Sequence, residues 1–516
     1  MIKGFRQIAG LTVISRVFGM IRDMAFAYYF GAGWLMTAWT VGFKIPNLTR
    51  RLFGEGAAAA AFIPIYSEQL VKDPKAARDL ANTVTTVIFV ILAGFVLIGE
   101  IGILLSRGML DVRAGTKTGM ELTAIMMPYM VGVCVVAILA GILNVHRHFA
   151  MPAAAPIALN ITIISALVIT GRIVGLPGEQ QVFYAAAAVL LAGVIQIVMQ
   201  LIPLRRAGVK LSPAWKVHSP AFKKVIFLMG PMILGLTVTQ LNTLADDVIA
   251  LSFMRADGFP LNYGAPSYLY YAQRLYQFPL GVLGISLATA IFPVMSGDAA
   301  RGDMTALKGT INKGLRATFF VALPAAAGLV LVARPLVALL FERGQFTDTD
   351  TAKVSWTLGF YALGLMAFFA QQIVIRAFYS LQNSKLPAVT AIIAVVLNVI
   401  LNLTLIWPLA TGGLALSTSV CAYTQVIILT FLLRRKLGAG LLSDFGRTVI
   451  HTIIATVIMT IVTGLVLLAM KGLEETTKFD ILRLVLAVPI AAGTYYVTAR
   501  FLKSEELSLV HRRTGK

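Results

Sequence analysis

The sequence predicts an all-α polytopic membrane protein of about fourteen transmembrane helices: two six-helix lobes plus two extra C-terminal helices. Three observations carry that reading. The 516 residues are 58% hydrophobic and 13% charged, whereas a soluble domain carries about 25% charge. Mean hydropathy is +0.83, and the apolar residues come in blocks of the ~20 residues that cross ~30 Å of hydrocarbon. Lysine and arginine, 44 in all, fall mainly between alternate blocks.

The first two blocks, 7–31 and 35–66, are separated by Gly31-Ala32-Gly33 and hold most of the charge found inside any block. Block 82–106 follows Lys72, Lys75 and Arg78, and block 122–146 follows Arg113 and Lys117. Met151-Pro152 opens 153–175, and Pro177-Gly178 separates it from 181–204. A basic stretch, 205–224, leads into 225–254. Blocks 268–296, 314–341 and 354–380 come next, broken by polar runs around Arg301 and Arg343. Leu386-Pro387 opens 386–407, and Thr411-Gly412-Gly413 opens 412–433. Arg434-Arg435-Lys436 precedes the last pair, 448–470 and 481–502.

An even number of spans places both termini on one side. With the N-terminus cytoplasmic, the cytoplasmic ends and loops hold 26 Lys and Arg and the opposite loops hold 9, as the positive-inside rule requires. The net charge of +21 is then topological: no basic stretch interleaved with aromatics predicts a nucleic-acid partner. Arg16, Arg22 and Asp23 interrupt what would be the uncharged core of a signal peptide. Cys134 and Cys421 both lie inside apolar blocks, with no CxxC and no histidine cluster, so neither a disulfide framework nor a metal site is expected.

The chain repeats itself. Leu11-Thr12-Val13 recurs as Leu236-Thr237-Val238, Ile45-Pro46 as Phe278-Pro279, Phe62-Ile63-Pro64 as Ile291-Phe292-Pro293, and Met151-Pro152 as Leu386-Pro387. Six spans separate equivalent points, so the halves share an orientation, and transporters built from such repeats place their substrate site between them. The expected division is 1–210 (spans 1–6), 220–436 (spans 7–12) and 437–516 (spans 13–14 and tail).

Six cations fall inside predicted spans 1, 2 and 8: Arg16, Arg22, Lys44, Arg50, Arg51 and Arg274. Each costs at least ~2.5–3.5 kcal/mol at the bilayer centre, so each must face water, meet an acid or snorkel. Arg16 and Asp23, seven apart, share a helix face; Arg51 and Glu55 are i,i+4 neighbours. Arg22, Lys44, Arg50 and Arg274 are then left uncompensated, and a wet cavity lined by them suits an anion, above all phosphate. Pro46, Gly54 and Gly56 interrupt span 2; Pro279, Gly281 and Gly284 interrupt span 8. These are either hinges beside a substrate site or kinks packed against neighbours. Asp246 and Asp247, inside span 7, are either a polar face bonded to Gln240 or Asn242, or carboxylates linked to a proton or cation. No P-loop, GxSxG or HExxH is present, so a transporter is expected and not an enzyme, with no cofactor.

Ser15-Arg16-Val17-Phe18-Gly19-Met20-Ile21-Arg22-Asp23, Phe30-Gly31-Ala32-Gly33 and Phe43-Lys44-Ile45-Pro46-Asn47-Leu48-Thr49-Arg50-Arg51-Leu52-Phe53-Gly54-Glu55-Gly56 resemble the MurJ (MviN) family of lipid II flippases. So do Tyr270-Tyr271-Ala272-Gln273-Arg274-Leu275 and Phe278-Pro279-Leu280-Gly281-Val282. The resemblance implies a MATE-like fold of the multidrug/oligosaccharidyl-lipid/polysaccharide exporter superfamily. It implies lipid II as substrate, a central cationic cavity, and a groove for the lipid tail formed by spans 13 and 14. Cavity residues of the family match Arg16, Arg22, Arg50 and Arg274, with Ser15, Asp23, Lys44, Arg51 and Glu55 supporting or pairing. Two departures, Thr37 and Gln273, stand where the family often has a more acidic residue. The implied setting is a bacterial cytoplasmic membrane, within peptidoglycan synthesis and the maintenance of cell shape, beside membrane lipids and the cell-wall synthesis and division machinery. The alternatives are a flippase for another lipid-linked oligosaccharide, a MATE-type drug or cation antiporter, and a membrane scaffold without transport.

Overall fold

The computed structural model describes residues 2–52, 58–109, 114–442, 445–472 and 476–507. Among the described residues, twenty α-helices follow in order. The first ten are α1 (Ile2–Phe30), α2 (Trp34–Gly42), α3 (Lys44–Thr49), α4 (Ala58–Lys72), α5 (Pro74–Met109), α6 (Ala114–Met126), α7 (Tyr129–Val145), α8 (Ala150–Val168), α9 (Gly178–Arg206) and α10 (Pro220–Ser252). The rest are α11 (Ala265–Pro279), α12 (Ser286–Ala300), α13 (Met304–Leu331), α14 (Ala333–Phe341), α15 (Asp348–Leu363), α16 (Leu365–Ser380), α17 (Lys385–Leu409), α18 (Thr411–Leu437), α19 (Phe445–Ala469) and α20 (Thr477–Phe501).

Among the described residues, ten helical runs are long and apolar enough to cross a membrane. They number eleven when α15 and α16, bent by 42°, form one span. Length and apolarity of the described residues alone therefore do not confirm the count of about fourteen. Predicted spans 7–31 and 225–254 are covered by the long helices α1 and α10. Predicted span 35–66 is instead broken into α2, α3, a π-helical turn at 50–52 and α4. Predicted span 314–341 also divides, at Val332, because Pro335 cannot donate a backbone bond and fits only in the first turn of a new helix.

The breaks have local causes. Gly31 ends α1 in the left-handed region, φ +62, with its N–H on the Ala27 carbonyl at 2.9 Å. Pro46 sits in the first turn of α3, where its missing N–H costs nothing. Pro74 opens α5 behind Asp73, whose carboxylate accepts the Lys75 N–H at 2.8 Å. Thr347 and Asp350 form a reciprocal capping box on α15.

By internal contacts the chain forms two compact units. One comprises 1–240 with the short segment Arg343–Phe346; the other comprises 241–342 and 347–516. In the first, α8 packs on α1 and α9, and α7 on α4, α5 and α9. Its buried centre includes Phe26 and Trp39, ring centroids 4.7 Å apart. Segment Arg343–Phe346 docks on the end of α1: Gln345 donates its N–H to the Tyr28 carbonyl at 2.9 Å. The approach needs two glycines, since a Cβ at Gly31 would lie 2.5 Å from the Gln345 oxygen and one at Gly344 2.3 Å from the Tyr28 oxygen. The basic stretch after α9 is strapped along α5: Ser212 exchanges bonds with Asn82, and the Ala214 and Lys216 N–H groups donate to Thr86 and Thr83.

In the second unit α18 packs on α15, α16 and α17, and α13 on α12, α16 and α19. Leu307, Ile311, Phe378, Leu429 and Leu433 are among its fully buried side chains. Helix α20 pairs with α19, and only 6% of its apolar window is covered by protein. A helix so apolar and so uncovered is a lipid-facing helix.

Candidate functional site

The site residues of the first unit lie on α1, α3 and the turn that follows. Arg22, half-buried, donates Nε and Nη2 to one oxygen of Asp23, at 3.1 and 2.7 Å. Its Nη1 donates to Asn160 Oδ1 on α8 at 2.9 Å, and Asn160 returns a bond to the Ser15 carbonyl at 3.3 Å. The guanidinium also lies 5.9 Å from the Phe26 ring centroid. This corrects the expected pairing of Arg16 with Asp23 and the expectation that Arg22 is uncompensated. The adjacent guanidinium folds back along α1 and takes the carboxylate, while Arg16 lies exposed on the same helix. Ser15 contributes through its backbone.

Lys44 is half-buried at the start of α3, and Pro46 is buried inside it. Arg50 donates to Asn47 Oδ1 at 3.0 Å, across one helical turn. Arg51 donates to Gln240 Oε1 at 3.2 Å. Gly54, Glu55 and Gly56 lie outside the described residues, and with them the expected Arg51–Glu55 pair. Thr37 is buried within α2.

In the second unit Arg274 on α11 donates to the Tyr270 hydroxyl at 3.2 Å, with its guanidinium carbon 4.8 Å from that ring's centroid. A cation stacked on an aromatic face is oriented by that contact. Next to it, Gln273 donates to the Tyr361 hydroxyl at 3.1 Å. Pro279 ends α11, and Leu280–Ile285, which contains Gly281 and Gly284, continues as a π-helical turn into α12. The interruption read from the sequence is therefore a π-bulge inside one continuous run, a feature frequent at functional sites.

Asp246 is 2% exposed. Asn402 of α17 donates to one of its oxygens at 2.7 Å and Thr418 of α18 to the other at 3.0 Å. The same Asn402 amide also reaches Asn398 Oδ1 at 3.0 Å. The expected partners Gln240 and Asn242 are not the ones that hold Asp246, because its face of α10 turns toward α17 and α18. Asp247 is half-buried beside it. Sequence reasoning passed over Asn160, Asn398, Asn402 and Thr418. The pair Asn398 and Asn402, one turn apart inside an apolar span, was a legible signal, since such amides are costly in hydrocarbon unless bonded. Among the described residues no three His, Cys, Asp or Glu side chains are grouped to hold a metal ion.

Comparison with known proteins gives this arrangement a context. The family model described as lipid II flippase MurJ matches residues 26–487. A probable lipid II flippase MurJ of Vibrio cholerae is 34% identical over 82% of this chain and 81% of that protein. A lipid II flippase MurJ of Burkholderia cenocepacia is 31% identical over 83% of each. Among solved structures, a lipid II flippase MurJ in an inward closed conformation superposes with a TM-score of 0.78 at 24% identity, covering 96% of this chain and 99% of that one. An inward-facing multidrug resistance MATE family transporter reaches a TM-score of 0.65 at 14% identity, over 84% and 97%. The fold is thus shared with MATE transporters, while the sequence match runs through MurJ proteins: the chain belongs to the MurJ family of lipid II flippases.

Proposed function

We infer that this chain flips lipid II from the inner to the outer leaflet of the cytoplasmic membrane by alternating access, and that it is a transporter, not a catalyst. The observation that carries this is the family match from residue 26 to residue 487, across both units. No bond is made or broken. The protein must bind a pyrophosphate, shield the polar headgroup from hydrocarbon while the polyprenyl tail stays in lipid, and let go on the far side.

In this reading Arg16, Arg22 and Arg50 of the first unit and Arg274 of the second bind the pyrophosphate, because a planar guanidinium matches phosphate oxygens bidentately. Asp23 and Asn160 orient Arg22, as Tyr270 orients Arg274. Lys44 and Arg51, with Glu55, supply the supporting charge. Pro46 with Gly54 and Gly56, and Pro279 with Gly281, are the hinges. Both termini face the cytoplasm, the lobes divide as 1–210 and 220–436, and cell-wall synthesis and division proteins are the neighbours in the cell. The direct test is lipid II translocation by Arg22→Ala and Arg274→Ala after membrane insertion is verified. Each is expected to lose at least tenfold, the worth of a single charge-assisted bond of ~1.5–3 kcal/mol. Undiminished translocation in both removes them from the mechanism.

The sequence carries no P-loop, and in this proposal the energy comes from a gradient, the membrane potential or removal of product. Asp246 is the coupling carboxylate of this proposal: it is buried, and both its oxygens meet neutral donors. A proton or cation there neutralises a charge that the surrounding amide and hydroxyl cannot. Asp246→Asn is expected to leave substrate binding intact and to abolish the response of transport to an imposed gradient. A gradient response equal to the parent's excludes Asp246 from coupling.

A further inference from the structure

Within the first unit a slot of about 190 Å³ opens between α5 and α10. Val84, Ile88 and Leu92 line one side; Phe222, Ile226 and Gly230 line the other. On both helices the lining residues recur at intervals of four, so each helix contributes a single face. That face is apolar throughout. A cavity of this kind does not hold water, and hydrocarbon is the chemistry that suits it. Gly230 makes the room: a Cβ there would meet nothing within 4 Å. Glycine inside a helix costs about 1 kcal/mol relative to alanine, so the open space is kept at the expense of helix stability.

One end of the slot is basic. Lys223, exposed, precedes Ile226 by three residues and Gly230 by seven, which places it on the same face of α10. Lys216 arrives from the strapped loop, its N–H on Thr83 Oγ1 at 3.3 Å, next to Val84. Its ammonium donates to Asp79 at 2.6 Å, and Lys224 pairs with Glu68 at 3.6 Å. Trp215, 58% exposed, sits beside Lys216. Tryptophan and lysine together are interfacial anchors, and lysines at that depth attract anionic headgroups.

We propose that this slot is a binding site for one anionic glycerophospholipid, an acyl chain lying between α5 and α10 and the phosphate at Lys223 and Lys216. The site uses none of the arginines assigned to lipid II and stands independently of that assignment. The lipid wedges α10 against α5 at the point where α10 leaves the basic loop.

Native mass spectrometry of the full chain in mild detergent tests this, with chain-matched phosphatidylglycerol and phosphatidylcholine as probes. The expected result is one retained phosphatidylglycerol per chain, preferred over phosphatidylcholine by about tenfold. Gly230→Leu, which fills the slot with its own side chain, is expected to cut retention about tenfold while the Tm of the lipid-free protein stays level or rises. Lys216→Gln with Lys223→Gln is expected to erase the headgroup preference and leave a lipid bound. Three outcomes overturn the proposal: unchanged retention in Gly230→Leu, equal retention of the two probes by the parent, or one-for-one displacement of the phospholipid by added lipid II.

Discussion

At the scale of single residues, the informative group is Arg22 with Asp23 and Asn160. The sequence places Arg16, Arg22 and Asp23 along α1 but cannot say which cation takes the acid. A spacing of seven puts Arg16 and Asp23 on one face, yet a long guanidinium can fold back on its immediate neighbour, and Asn160, 138 residues away, completes the fork. Such a partner is invisible without the fold. A carboxylate-bonded arginine is oriented, and it also carries a stability consequence. Asp23→Ala strands Arg22 in a poorly hydrated place and is expected to cost about 3–5 kcal/mol, whereas replacing both members with apolar residues, Arg22→Met with Asp23→Leu, is expected to be near neutral for folding. Thermal unfolding in detergent reads the difference, and translocation reads the rest: the double variant is expected to stay folded and to lose transport. A double variant that unfolds like Asp23→Ala would mean the pair is structural.

At the scale of elements, the interruptions were legible and their forms were not. Pro279 with Gly281 and Gly284 announced a break in span 8, and the structure resolves it as a π-helical turn that keeps the helix running. Proline and glycine mark where backbone bonds must change; which alternative bonding is adopted depends on neighbours such as Phe369, against which a Cβ at Gly284 would press at 2.9 Å. The last two helices are held by a clamp no motif foretold. Arg316 of α13 donates to Glu506 and Thr448 at 2.9 Å and to Glu505 at 2.8 Å, and Tyr495 of α20 donates to the Phe320 carbonyl at 2.6 Å. Burial pushes the Glu506 carboxyl up, but the Thr448 hydroxyl, a backbone amide and Arg316 outweigh it and hold it below the usual glutamate range. A carboxyl depressed in the folded state contributes stability above its unfolded value, and that contribution is lost as pH falls through the folded value. The protection of α20 against hydrogen exchange, relative to the intrinsic rate at each pH, is therefore expected to fall on acidification below the ordinary glutamate pKa of about 4.3, with Glu506→Gln already less protected at neutral pH. Equal protection in parent and variant at neutral pH would show that the clamp holds nothing.

At the scale of the whole molecule, the fold class was legible because hydrocarbon imposes its rule locally: a span must satisfy its own backbone and be apolar over ~20 residues. The spans that read least clearly, 7–31 and 35–66, are the ones that carry the charges, since a charge works against the apolarity a span needs. The Asp246 site shows the limit in another way. Its carboxylate was visible in span 7, but Asn402 and Thr418 come from helices 156 and 172 residues further on. Polar residues buried in a membrane protein are placed by three-dimensional need, which one sequence records only as isolated departures from apolarity. The functional reading depends on both levels: a family match that runs through both units, and guanidinium groups held in place by Asn160 and Tyr270.

The most direct test of that reading is the leaflet distribution of lipid II in cells depleted of this protein. The account predicts that lipid II accumulates on the inner leaflet, and that restoring the parent chain, but not a folded and inserted Arg22→Ala, clears it. An unchanged distribution on depletion, in cells with no second flippase, would contradict it.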